Sequence, residues 1–167
     1  MRVGEAVIHF ADSRVAAATC GGVFISVLRQ PPTLENINRL RAETRRLHDL
    51  RGGKYGSLSI LEPSAVANVA ADVREASARF AREFTMLGAA IIVEGSGFLP
   101  AAGRTLIAGI YLLTKKTYPH KIFAKPADGA AWLVPILAQA GVLHTAAELL
   151  VAAEAARQAI VPQLAER

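Results

Sequence analysis

Apolar and polar positions change period several times along this chain, and each change marks an element. Within the first thirty residues three short apolar runs, EAVIHF, VAAATC and VFISVLR, are separated by the turn ADSR and by Gly21-Gly22. Runs of this length, rich in β-branched and aromatic residues, predict three strands. The glycine pair predicts a hairpin whose two turn positions both take positive φ. Pro31-Pro32 then stops the ladder, because proline has no backbone N–H to donate.

From Thr33 the period becomes helical. Thr33 is placed to cap a helix in which Leu34, Ile37, Leu40, Thr44 and Leu47 recur at spacings of three and four, one inward stripe. Gly52-Gly53 ends it. YGSLSIL predicts the next strand, halted by EPS, and residues 65–86 predict a second helix with Val66, Val69, Val73, Ala76, Phe80 and Phe84 on one side. GAAIIVE is almost wholly apolar, as expected of a strand covered on both faces. Gly95-Ser96-Gly97 follows, then a helix to about Leu113 and a final strand at HKIFAK.

Asp128 is placed to cap a helix carrying Trp132, Leu133 and Ile136, with Pro135 implying a kink or a late start. Thr145 and Glu148 have capping-box spacing for a last helix ended by Pro162. The predicted order is therefore βββ-α-β-α-β-α-β-α-α. It describes an α/β domain: a mixed sheet with an N-terminal antiparallel meander followed by βα units, helices flanking the sheet. One domain is expected over residues 1–167, with a core at about 5–140 and a C-terminal helix at about 145–165. No internal repeat interrupts it.

Composition narrows the classes. Of 167 residues 52% are hydrophobic and 20% charged, which suits a chain that buries a real core and argues against disorder. The single cysteine, Cys20, rules out an internal disulfide and fits a reducing compartment. The N-terminus meets Glu5 and Asp12 before any apolar signal region develops, so a cytoplasmic protein is expected. The longest apolar stretch, residues 96–114, contains Pro100, Arg104 and three glycines and predicts a buried helix, not a membrane span.

Net charge is +5. With aromatics at 6% and no basic stretch interleaved with stacking residues, nucleic acid is not the expected partner. The cations gather in two places. One is the outward face of the first helix, with Arg39, Arg41, Arg45 and Arg46, followed by Arg51 and Lys54. The other is the acid-free stretch between Glu94 and Asp128, with Arg104, Lys115, Lys116, Lys121 and Lys125. Either suits an acidic or phosphorylated protein partner or anionic lipid.

Specific chemistry has few candidates. The four histidines are scattered at positions 9, 48, 120 and 144, so no metal or other cofactor is expected. Cys20 and Ser64 lack a recognisable nucleophile motif, and no enzyme activity is expected. Gly95, Ser96 and Gly97 form the one phosphate-cradle candidate, with Arg104 as its anion contact. A Walker loop would need Gly-Lys-Ser/Thr where Gly103-Arg104-Thr105 stands, and a dinucleotide fingerprint would need glycine at Pro100. The segment therefore reads as a tight turn into a helix, with Arg104 expected to pair with Glu94. Gly103 and Gly109 are expected to allow close packing of that helix.

The order of elements, the AAIIVEGSGF segment and the ending YPHKIFAKPADGAAWL resemble bacterial STAS-like domains, the superfamily of anti-sigma-factor antagonists, whose wider fold group includes lipid-binding CRAL-TRIO proteins. The resemblance spans roughly residues 5–140. It implies a non-enzymatic protein-interaction module in bacterial signalling. It also implies a phosphorylatable hydroxyl after a central strand, at the start of the next helix. LSILEPSAV places Ser64 there, with Glu62-Pro63 in place of the usual Asp-x-Ser context; the alternative role for Ser64 is to cap the second helix. The CRAL-TRIO side implies a second function, a carrier whose apolar third helix and Gly-Ser-Gly turn line a pocket for a lipid or nucleotide. The alanine-rich last helix offers a self-packing face for a homodimer.

Overall fold

The computed structural model describes residues 5–162. Three strands open the chain, β1 (Ala6–Ala11), β2 (Val15–Cys20) and β3 (Val23–Leu28), paired antiparallel. They are followed by α1 (Leu34–Arg51), β4 (Gly56–Leu61), a 3₁₀ turn (Pro63–Val66), α2 (Ala71–Glu83), β5 (Gly88–Val93), α3 (Phe98–Thr114), β6 (His120–Phe123), α4 (Pro126–Ala138) and α5 (Ala146–Ala159). The element order is the one the periodicity predicts. All six strands form one sheet in the order β1-β2-β3-β4-β5-β6, parallel from β3 onward.

β3 and β5 are buried along their length and β4 at every other residue, and alternate residues serve different layers. Val23, Ile25, Val27, Leu58, Ile60, Ala90 and Ile92 face α4 and α5, where they pack against Leu133, Leu137 and Leu149. The other side faces α1, α2 and α3. The alanines of α5 (Ala152, Ala153 and Ala156) are buried in the layer that includes β2 and β3, so the face expected to pair two copies is used within the chain. Gly56 marks how close α4 comes: a Cβ there would lie 2.5 Å from Leu137 Cδ2.

The caps explain where the helices start, and several differ from expectation. Thr33 caps α1, with its side chain accepting from Asn36 N at 3.1 Å and its own N donating to Asn36 Oδ1 at 2.9 Å. Thr145 and Glu148 form the expected capping box of α5. α5 ends at Ala159, because Ile160 turns extended (φ −74°, ψ 110°) ahead of Pro162; residues 163–165 of the expected helix lie outside the described residues. α4 begins at Pro126, whose fixed φ suits the first helical position, so Asp128 sits in the first turn and is not the cap. The helix expected over 65–86 is broken in two. Asn68 adopts a left-handed conformation (φ 51°) between the 3₁₀ turn and α2, a region asparagine tolerates better than most residues. In the β2–β3 turn only Gly21 has positive φ (55°). Gly22 is required for space, since a Cβ there would lie 2.9 Å from Val142 Cγ1.

Candidate functional site

The two faces of the sheet are not filled alike. On the α4–α5 side the central strands present Ile25, Val27, Leu58, Ile60 and Ile92. On the α1–α3 side the register aligns Phe24, Ser57 and Ala89 in one row and Ser26, Ser59 and Ile91 in the next. Four of these six side chains are serine or alanine, where a doubly covered strand ordinarily carries large aliphatics; Ser26 and Ala89 are buried, and Ser57 and Ser59 half-buried. The helices above do not sink far enough to fill the space. What remains is a cavity of about 180 Å³ roofed by Ile37, Leu40, Phe80, Phe84, Ile107 and Tyr111.

Lining groups are apolar or hydroxylic, and none is charged. Ser26 Oγ donates to Ser59 Oγ at 3.0 Å, and Ser57 and Ser59 hydroxyls lie 3.5 Å apart. Thr44 Oγ1 donates to the Leu40 carbonyl (2.9 Å) and Ser77 Oγ to the Val73 carbonyl (2.8 Å). Tyr55, Tyr111 and Tyr118 also line the space. Tyr55 is fully buried, and its hydroxyl has no hydrogen-bond partner. Burial pushes all three phenols up, Tyr111 to about 12, and the neighbouring Tyr111 and Tyr55 raise Tyr118 further. They therefore stay protonated near neutral pH, each keeping an O–H able to donate.

Lys116 belongs to the surroundings of this cavity more than to a surface patch. Its Nζ lies 3.5 Å from the Phe84 carbonyl and 4.8 Å from the centre of the Tyr118 ring, and burial lowers its pKa to about 8. Lys115, by contrast, is exposed and closes α3 in a left-handed conformation (φ 48°).

The other predicted residues fall elsewhere. Gly95, Ser96 and Gly97 are exposed, with φ of 100° at Gly95 and 97° at Gly97, and they form the turn into α3; none lines the cavity. Arg104 does not pair with Glu94. Its Nη1 donates to the Val93 (2.9 Å) and Gly95 (3.2 Å) carbonyls and so fastens the turn. The reason is strand alternation: Glu94 continues the α5-facing series of Ala90 and Ile92, away from α3. Of the two glycines in α3, Gly103 allows close packing, since a Cβ there would meet Val66 Cγ2 at 2.8 Å, while Gly109 faces open space.

Ser64 is exposed within the 3₁₀ turn, and its hydroxyl donates to the Arg29 carbonyl. It caps no helix, since the turn is flanked by Glu62 and α2 starts only at Ala71. Four of the basic side chains of α1, Arg39, Arg41, Arg45 and Arg46, have intramolecular partners. Arg41 Nη2 reaches Glu83 at 3.0 Å, and Arg45 also contacts Glu83. Arg46 pairs with Glu43 (3.0 Å), and Arg39 lies 4.0 Å over the Phe10 ring and 3.8 Å from Asp12.

At the C-terminal edge of the parallel strands stands an ionic cluster. The register that aligns Val27 with Ile60 and Ile60 with Ile92 also brings Arg29, Glu62 and Glu94 into one row, two residues further on. Arg157 of α5 crosses that row, with Nη1 2.6 Å from Glu62 Oε1 and Nη2 2.8 Å from Glu94 Oε1. In open α/β sheets ligands bind at this edge where the strand order reverses. Here the order never reverses, and the edge is spanned by protein charges.

Cys20 is buried, with its Sγ 4.0 Å from His144 Nδ1, which in turn lies 3.9 Å from Glu148 Oε2. Burial and the Glu148 charge push the thiol up, so it is protonated and closed off, a packing residue. No group of three His, Cys, Asp or Glu side chains converges among the described residues. No helix there is long and apolar enough to cross a membrane. The outward side of α3 is nonetheless apolar, with Phe98 and Leu112 at 89% and 80% exposure.

Sequence reasoning missed the cavity. Its signal is the alternation in YGSLSIL, where Ser57 and Ser59 interleave with Leu58 and Ile60 in a strand flanked by parallel neighbours. Set against models of known protein families, against curated proteins and against solved structures, the chain has no match in any of the three.

Proposed function

We propose that this chain is a small-ligand-binding protein whose site is the cavity between the sheet and α1–α3. The observation that carries the reading is an uncharged space of about 180 Å³, kept open by serines and alanine on the helix-covered face of the sheet. A dry apolar cavity of about 150 Å³ is enough to bind benzene. The site therefore suits a compact apolar molecule. A nucleotide, which needs charge and more room, suits it poorly, as does a long acyl lipid. The third helix contributes to the site through Ile107, Ile110 and Tyr111, in keeping with the carrier expectation, while the Gly-Ser-Gly turn does not. Benzene added to ¹⁵N-labelled protein is expected to give saturable amide shifts centred on Ser57, Ser59 and Ala89. Shifts that never saturate, or that fall only on the outer face of α3, would remove this reading.

A second reading is a STAS-like interaction module in cytoplasmic bacterial signalling, switched at Ser64 and offering a basic surface to an acidic partner. The observation favouring it is the exposure of Ser64 directly after β4, where the resemblance places a phosphoacceptor. Wild type and Ser64→Asp are expected to recover different proteins from host lysate; identical sets would count against the switch.

A further inference from the structure

Independently of what the cavity holds, we infer that the outer face of α3 docks on an anionic lipid surface, with the helix lying in the plane of the headgroups. α3 is 17 residues long, about 25 Å. One side turns Ile107, Ile110 and Tyr111 to the cavity. The other presents Phe98, Leu99, Ala102, Leu106, Gly109 and Leu112, all exposed, and no exposed position within the helix is charged. Phe98 and Leu112 stand near its two ends, about 20 Å apart along the axis. Arg104, the one charged residue of α3, is turned onto the Val93 and Gly95 carbonyls. Thr105, the one polar side chain on the outer face, gives its hydroxyl proton to the Ala101 carbonyl at 3.1 Å. The face therefore offers no free side-chain donor. A protein interface ordinarily makes about one hydrogen bond per 100–200 Å², whereas the acyl boundary of a bilayer asks for none. Charge selects the kind of lipid. No acidic residue occurs between Glu94 and Asp128, and Lys115 stands exposed at the end of the helix with Lys116 beside it. A second copy docked face to face would bring this same patch, and so no carboxylate for these lysines. Anionic headgroups supply the missing charge. No described helix is long and apolar enough to cross a membrane, so α3 lies on the surface.

The test is co-sedimentation with two kinds of vesicle, phosphatidylcholine alone and equal parts phosphatidylcholine and phosphatidylglycerol. Wild type is expected to bind the mixed vesicles about fivefold or more tightly than the neutral ones, an advantage that shrinks in high salt. The double change Phe98→Ser, Leu112→Ser is expected to weaken binding to mixed vesicles about tenfold or more. Its melting temperature is expected to stay within about 2 °C of wild type, because both side chains are exposed. Lys115→Gln is expected to cost about fivefold on mixed vesicles and nothing on neutral ones. A second measurement fixes the orientation. An environment-sensitive dye is attached at Ala102→Cys, or at Val151→Cys on the exposed side of α5, while Cys20 is buried and stays unlabelled. Mixed vesicles are expected to shift the dye emission to the blue at position 102 only. Failure of wild type to bind mixed vesicles, undiminished binding by the double variant, or an equal shift at position 151 would each overturn the inference. A wild type that is dimeric, made monomeric by the double change and indifferent to vesicles, would assign the face to a second copy instead. Equal binding to both vesicles would overturn the requirement for anionic lipid.

Discussion

Arg157→Ala is expected to lower the free energy of unfolding by about 2–3 kcal/mol, measured by urea denaturation at neutral pH. The guanidinium makes three hydrogen bonds to two carboxylates, Glu62 at 2.6 Å and Glu94 at 3.1 and 2.8 Å. Both carboxylates are largely covered, with side-chain exposures of 17% and 21%. Removing the arginine leaves them neighbours in one row of the sheet, with only the Arg29 Nε contact to Glu62 at 3.2 Å to offset their repulsion. A fully buried pair broken in this way costs roughly 3–5 kcal/mol, and residual solvent access scales that down. Arg157→Lys is expected to recover part of the loss, because an ammonium keeps the charge and loses the forked geometry. A loss for Arg157→Ala below about 0.5 kcal/mol, the range of ordinary surface changes, would show that the cluster does not hold α5 to the sheet.

The second large effect is a contrast between adjacent residues. Ala89 and Ala90 are both buried in β5, and valine suits a strand at either place. Ala89 faces the cavity, whereas Ala90 faces the closed layer of Leu133, Leu137 and Ile25. Ala89→Val is therefore expected to raise the melting temperature by about 2–4 °C by filling space, and to abolish benzene binding. Ala90→Val is expected to cost about 1–3 kcal/mol through overpacking and to leave ligand affinity in place. Calorimetric melts and the same titration report both. Equal destabilisation by the two changes would mean that the α1–α3 face is as closed as its opposite.

Why the fold was readable and the site was not follows from the range of the determinants. Thr33, Gly52, Gly21 and the Thr145–Glu148 pair act within four residues of themselves, so their roles show in the sequence. The break at Asn68 has no counterpart in the continuous apolar stripe of 65–86, and at α4 both Asp128 and Pro126 are plausible starts, of which the backbone uses Pro126. The cavity depends on Ser26 meeting Ser59 across 33 positions, and the ionic cluster on Arg157 meeting Glu62 across 95. Nothing local distinguishes those serines from solvent-facing ones. The β3–β4–β5 register, once known, makes both assemblies follow from counting in twos. Arg104 shows the same limit: its charge was legible, but which face Glu94 takes is a property of the strand.

The sheet's unbroken strand order also bears on how the chain is made. Every strand pairs with its immediate neighbour in sequence, so β3 through β6 can be added one unit at a time as the chain emerges. The layer covering the opposite face cannot form in step. α5 lies against β1, β2 and β3, so the side of the first hairpin carrying Ala16, Ala18 and Cys20 stays uncovered until the chain beyond residue 146 is available. The N-terminal hairpin is thus the earliest part of the sheet to be synthesised and the last to be closed. For that interval its apolar surface is what a chaperone, or another nascent copy, would meet.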